Sequence, residues 1–523
     1  MADLSPATRR HFLRMMAAMA PLGAAAPFAL QLATMGSASA QTAPPAYQAL
    51  VCIFLFGGND SNNLLLATDA DSWTRYFAAR NTGNDPIALM PVGTAPAAVG
   101  SVSAVTGRTV TRASPEFFGG VLPITPRTAN PVPPGTNATS RTFGVHPVLS
   151  PLVRDAANPW AAGRLALLAN VGPLIVPTTK AQYVARSVRL PPNLMSHNDQ
   201  QSIWQASAAE GARRGWGGLM ADTMLSQNGA SAVFTAVSVA GNAVFLAGDS
   251  VVQYQVTTNT QPALRITSAT GATLNGSSTA AARLRETIRE AGAASLFMQD
   301  YGAVTRRSMD SADALNTAFA GAAVTAIPNP AAYTNPVTGA VEANSLATQL
   351  QTVARMMAAA PSLGINRQVF FVSLGGFDTH DIQNQTQPNL LAKVAHAMAY
   401  FDGALGNIGG LNMRDAVTTF TMSDFSRTFT TNGDGTDHAW GGHHLIMGGA
   451  VRGGDIYGQF PTVGVDRTGF ANPNMSGNIM IPTTSVYQMA ATLGRWFGVP
   501  DAQLTTIFPN LANFAQRNLG FLG

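Results

Sequence analysis

The sequence predicts an α/β protein built on a doubly wound, mostly parallel sheet with helices on both faces. Three observations carry this. Short apolar runs at 47–56 ("YQALVCIFLF"), 164–171 ("RLALLANV") and 367–374 ("RQVFFVSL") have the length and side chains of strands covered on both sides. Stretches with helical spacing lie at 278–320, 344–359 and 389–405 ("NLLAKVAHAMAYFDGAL"). Strands alternating with helices are the pattern of βαβ units.

Each element has its own signal. The run at 47–56 ends in "GGND", so a tight turn follows the first strand. Residues 85–145, and again 250–280, are rich in Pro, Gly, Thr and Ala and read as loop insertions. "HPVLSPLVRDAA" predicts a helix over 148–157, and the alternation in "SAVFTAVSVAGNAVFLAGDS" (231–250) predicts a pair of strands. "LPPNLMSHNDQQSIWQ" reads as a proline-bounded loop running into a helix. "DAVTTFTMSDFSRT" is a further strand with an acidic residue at its end. "SVYQMAATLGRWFGV" is the last helix.

Composition narrows the function. The chain has 523 residues, 46% apolar and only 11% charged, and 29 of its 31 basic residues are arginine. No basic run occurs after the first residues, which argues against a nucleic-acid partner, whose affinity needs many cationic contacts. The single cysteine, Cys52, excludes an intramolecular disulfide and sits in an apolar strand. Residues 1–40 carry Arg9, Arg10, Phe12 and Leu13, then a moderately apolar stretch and "ASA" at 38–40. This is the pattern of a twin-arginine export signal, so the translocase is an expected partner and the periplasm or the exterior the expected location. No later run of about 18 apolar residues exists, so stable membrane insertion is not expected. The remainder, 41–523, reads as one domain.

In an open α/β sheet, ligands bind at the carboxyl ends of the strands. Polar residues follow three of the predicted strands: Asn59 and Asp60, then Asp378 and His380, then Asp424. In "GGFDTHD" (375–381) Asp378 and His380 are two apart and would face one side of an extended segment. Carboxylate plus imidazole suits zinc, manganese or iron; a capped turn with a hydrogen-bonded histidine is the competing reading. For Asp424 the competing reading is a helix N-cap. The densest signal is "GTDHAWGGHHLIMGG". It places Asp437, His438, His443 and His444 among glycines in a chain with only eight histidines. Ser196 and His197 stand just before a predicted helix, where Ser196 is either an N-cap or a nucleophile. No phosphate-binding loop, G-x-S-x-G or H-E-x-x-H occurs, which argues against an ATPase, an α/β-hydrolase triad or a zincin.

Taken in order, "LFGGNDSNNLLL", "VHPVLSPL", "LMSHNDQQSIWQ", "GGFDTHDIQ", "SDFSRT", "DHAWGGHHLIMGG" and "SVYQMAATLGRWFGV" resemble the domain-of-unknown-function 1501 family of twin-arginine-exported bacterial proteins. That family is grouped with the alkaline-phosphatase-like superfamily. The resemblance implies a metal-dependent hydrolase of a phosphate or sulfate ester, small or polymeric, with one or two divalent transition-metal ions and a Ser or Thr nucleophile. Carried over by position, Asp60 resembles the first-strand metal carboxylate and Ser196 the nucleophile. Asp378 and His380 resemble one metal site, and Asp424 an acid of the other. One or two of His438, His443 and His444 resemble a late ligand. His197 is a substitute ligand or catalytic group, and Arg427 is placed to hold an ester oxygen. The pattern departs at Phe425, where active members of the superfamily carry histidine. The alternative that this departure raises is a non-catalytic envelope binding or assembly protein.

Overall fold

The computed structural model describes residues 47–129, 141–259, 277–290 and 296–523. The expected leader, 1–40, lies outside the described residues, as do parts of both expected loop insertions. Residues Tyr47–Gly523 form one compact unit.

Its centre is a nine-stranded sheet. In chain order the strands are β1 (Gln48–Leu55), β2 (Leu165–Gly172), β3 (Ala236–Ser238), β4 (Tyr254–Gln255) and β5 (Arg367–Leu374). They continue with β6 (Val417–Ser423), β7 (Gly442–Met447), β8 (Asp455–Tyr457) and β9 (Thr484–Ser485). Their spatial order is β8-β2-β7-β6-β1-β5-β3-β4, with β9 also on β2. Every pairing is parallel except the two made by β7, which runs antiparallel to both β6 and β2. The sheet is therefore mostly parallel, as the sequence predicts, with one reversed strand that the motifs did not announce.

Strand β1 shows why the run had to be apolar throughout. Ala49, Val51, Ile53 and Leu55 enter one core, while Leu50, Cys52 and Phe54 enter the other. Helices α5 (Ser345–Leu363) and α6 (Gln383–Leu405) cover the first face, with α4 (Leu296–Phe319) packed beyond α5. Helices α2 (His197–Ala206), α3 (Trp216–Asp222) and α7 (Val486–Phe497) cover the second. Helix α1 (Ala70–Arg80) and a small antiparallel sheet of Leu65–Ala67, Leu122–Ile124 and Phe143–Val145 flank the first core. None of the helices is long and apolar enough to cross a membrane among the described residues.

Two sequence expectations are corrected. The helix expected at 148–157 is only a 3-10 turn followed by the single turn Ser150–Val153. Asn158 ends it by accepting from the Asp155 amide at 2.5 Å and donating to the Pro151 carbonyl at 2.7 Å. The strand pair expected at 231–250 is one strand, β3, between 3-10 turns at Gly229–Phe234 and Val244–Leu246. After β3 the Ser238 hydroxyl donates to the Gly241 carbonyl at 2.5 Å and closes a turn. The chain then buries Phe245 and Leu246 against α3 instead of returning along the sheet.

Candidate metal centre

Strands β5, β1 and β6 are neighbours, and their last residues lie level: Leu55 pairs with both Leu374 and Ser423. The segments that leave them therefore meet at one place. Gly57 lies between, with φ +113°, and a Cβ there would stand 2.4 Å from the Asp378 amide nitrogen. Only glycine lets the turn after β1 pass so close to the turn after β5. The Gly57 N–H points at the other side, toward both Asp424 oxygens at 3.2 Å.

Asp424 is fully buried and is not a helix cap. It accepts from Gln201 Nε2 at 2.8 Å and lies 2.6 Å from His197 Nδ1. His197 and Gln201 are one turn apart on α2, so one helix face reaches the same carboxylate oxygen. With Asp424 as acceptor, His197 carries its proton on Nδ1 and turns a lone pair outward on Nε2. That Nε2 is buried and has no hydrogen-bond partner; Asp378 Oδ2 is 3.4 Å away. His438 is arranged in the same way. Its Nδ1 donates to the Met195 carbonyl at 2.8 Å, leaving Nε2 facing Asp378 Oδ1 at 3.3 Å. His380 completes the ring, with Nδ1 3.2 Å from Asp437 and Nε2 2.9 Å from His438 Nε2.

His197, Asp378 and His438 thus offer three donor atoms within 4.8 Å of one another. Metal-bound histidines commonly anchor their other nitrogen on a carboxylate or carbonyl, and both histidines here do so. Lone pairs that face a carboxylate across a short gap need a proton or a cation between them. Bonds of about 2.0–2.2 Å to one ion would require the group to contract. The local charge favours a cation, with Asp378, Asp424 and Asp437 against one guanidinium, Arg427.

Electrostatics follow the same geometry. The hydrogen bond and charge of Asp424, aided by Asp378, raise the His197 pKa despite partial burial. Burial pulls His438 down, its bond to Met195 offsets part of this, and the positive neighbours add to the lowering. Burial pushes the Asp378 carboxyl up, but the Arg427 hydrogen bond and charge, with His197 and His380, hold it below the usual carboxylate range.

Other expected site residues sit elsewhere or have other partners. Asp60 is fully enclosed in an ion pair with Arg80, whose Nη1 lies 2.5 Å from Oδ2, and Gln383 and Asn62 donate to its remaining lone pairs. An ion bound by Asp60 would have to displace the guanidinium. Arg427 is buried and donates to the carbonyls of Gly57, Gly58 and Thr436 and to Asp378. It clamps the turn and the carboxylate, so it does not reach out to an ester oxygen. His443 and His444 lie within β7 and are buried. His443 Nδ1 accepts from the Asn170 amide at 3.0 Å and its ring stacks on Phe460, while His444 packs on Trp204. Burial pushes both pKa values down to about 3. Neither joins the cluster. Ser196 occupies the N-cap position of α2, and its hydroxyl donates to Asp199 at 2.9 Å. Phe425 is buried, its ring 4.8 Å from His197 and 4.5 Å from His438. It packs both imidazoles in place.

Fold and site together define an α/β protein with a histidine and carboxylate cluster of metal-ligand type at the carboxyl edge of its sheet. A family model described as "Protein of unknown function (DUF1501)" matches residues 47–508, and the chain belongs to that family. No curated protein matches it.

Proposed function

We propose that this chain is an exported, metal-dependent hydrolase of a phosphate or sulfate ester that works with one ion. The observation that carries the proposal is the buried, unpartnered His197 Nε2, held by Asp424 and aimed at Asp378 beside His438. The donor set of two imidazoles and a carboxylate suits zinc, manganese or iron. When bound, such an ion supplies Lewis-acid polarisation of the ester and lowers the pKa of a coordinated hydroxyl or water. The protein's part is positional. Asp424 and the Met195 carbonyl fix which nitrogen of each histidine is free, and Arg427 keeps Asp378 ionised and oriented. Ser196, beside His197 at the start of α2, is the proposed nucleophile, with Asp199 as acceptor of its proton. Attack would form a bond from Ser196 Oγ to phosphorus or sulfur and break the bond to the alcohol; water would then release the acid.

The second reading is a binding module, favoured by two features where further ligands would be expected. Asp60 is held by Arg80, and Phe425 stands where the superfamily pattern has histidine. Aryl phosphates and aryl sulfates assayed with metal-reconstituted protein separate the two. The hydrolase reading expects turnover that chelation abolishes and that Ser196→Ala and Asp378→Asn each reduce at least about a hundredfold. Metal-loaded protein inert toward both ester classes would decide for the binding module.

A further inference from the structure

An open cleft of about 820 Å³ runs along residues 183–195, the segment that leads into α2 and His197. We propose that it receives the alcohol part of the ester, and that this part carries an apolar segment and a second anionic group. The inference rests on the hydrolase reading and adds the substrate class. Continuity comes first: Met195 lines the cleft, and its carbonyl holds His438 Nδ1 at 2.8 Å, so the cleft wall and the metal group share one residue. Size comes next. The cleft exceeds the needs of a phosphate or sulfate head and falls within the roughly 300–1,000 Å³ of small-molecule sites.

Chemistry then selects the occupant. Val184, Leu190, Leu194 and Met195 give the cleft apolar walls, and Val184 is 64% exposed. Arg186 is the cationic residue among its lining, and no ion pair among the described residues joins it to a carboxylate. An uncommitted guanidinium beside an apolar wall suits an anion on an apolar stem. The walls are also preformed. Arg186, Asn193 and Met195 all hold left-handed backbone, at φ 49°, 47° and 72°. Such conformations persist only where the surroundings enforce them. The Arg186 N–H donates to the Gln182 and Tyr183 carbonyls at one end, and the Asn193 carbonyl accepts from the Ser196 amide at 3.1 Å at the other.

The test uses metal-loaded full-length protein and non-hydrolysable phosphonates, read by titration calorimetry. Alkylphosphonates should bind more tightly as the chain lengthens from methylphosphonate, and a terminal carboxylate should add about tenfold, near one charge-assisted hydrogen bond. Arg186→Glu should remove the carboxylate's gain, and Leu194→Asp the chain-length gain, with metal content and methylphosphonate affinity unchanged. Affinity indifferent to chain and carboxylate, or unaltered by both substitutions, overturns the cleft proposal. If the purified chain takes up no metal, the hydrolase reading fails instead. In that case the cleft proposal still requires chain-length and Arg186 dependence in the metal-free protein, and their absence overturns it too.

Discussion

Asp424 shows how one residue's role is set by its neighbours. The sequence offers it as a ligand or a helix cap, and the structure makes it the buried acceptor for His197, Gln201 and the Gly57 amide. Its carboxylate decides which His197 nitrogen stays free, so Asp424→Asn should weaken metal affinity about 10- to 100-fold without unfolding the chain. Competition against a chelator, with circular dichroism as the control, reads this; unchanged affinity would show that Asp424 is not the orienting group. The candidate residues were legible because carboxylates and imidazoles are scarce in this chain and follow predicted strands. Their partners were not. Arg80 on Asp60, and the Met195 carbonyl on His438, join residues 20 and 243 positions apart. Residue type and spacing carry no signal for contacts of that kind. Gln201 is one partner missed in the sequence although a signal existed, since four residues after His197 on a helix it shares that face.

Strand β7 teaches the corresponding lesson for elements. "GGHHLIMGG" looks like the richest source of ligands, yet pairing with β6 and β2 on both sides buries His443 and His444 in the sheet. Nothing in that stretch signalled a strand running antiparallel to both its neighbours. The burial has a measurable consequence. Both imidazoles titrate at about 3 in the folded chain, against about 6.5 unfolded. Between those values the unfolded state binds more protons, so stability is complete above about pH 6.5 and falls as the pH drops. Each group contributes a slope of up to about 1.4 kcal/mol per pH unit. The urea midpoint should therefore be clearly lower at pH 5 than at pH 7, and His443→Gln should flatten the difference. Equal midpoints at the two pH values would contradict neutral burial of these residues.

At the scale of the whole molecule, the two-faced sheet was the most legible feature, because β1, β2 and β5 are apolar on both alternations and nothing but helices on both sides can cover them. The insertions were the least legible, since their paths depend on side-chain contacts that local composition does not encode. Export is argued from residues 1–40 alone. Replacing Arg9 and Arg10 together by lysine should leave the precursor in the cytoplasm on cell fractionation, and undiminished export would remove the twin-arginine assignment.

The central claim, one ion held by His197, Asp378 and His438, is tested most directly by elemental analysis of the purified chain, before and after reconstitution with zinc, manganese or iron. The account predicts about one equivalent per chain, lost in His197→Ala and in His438→Ala and retained in His443→Gln. Two equivalents would contradict the single site, and no metal in the reconstituted wild-type chain would contradict the metal centre altogether.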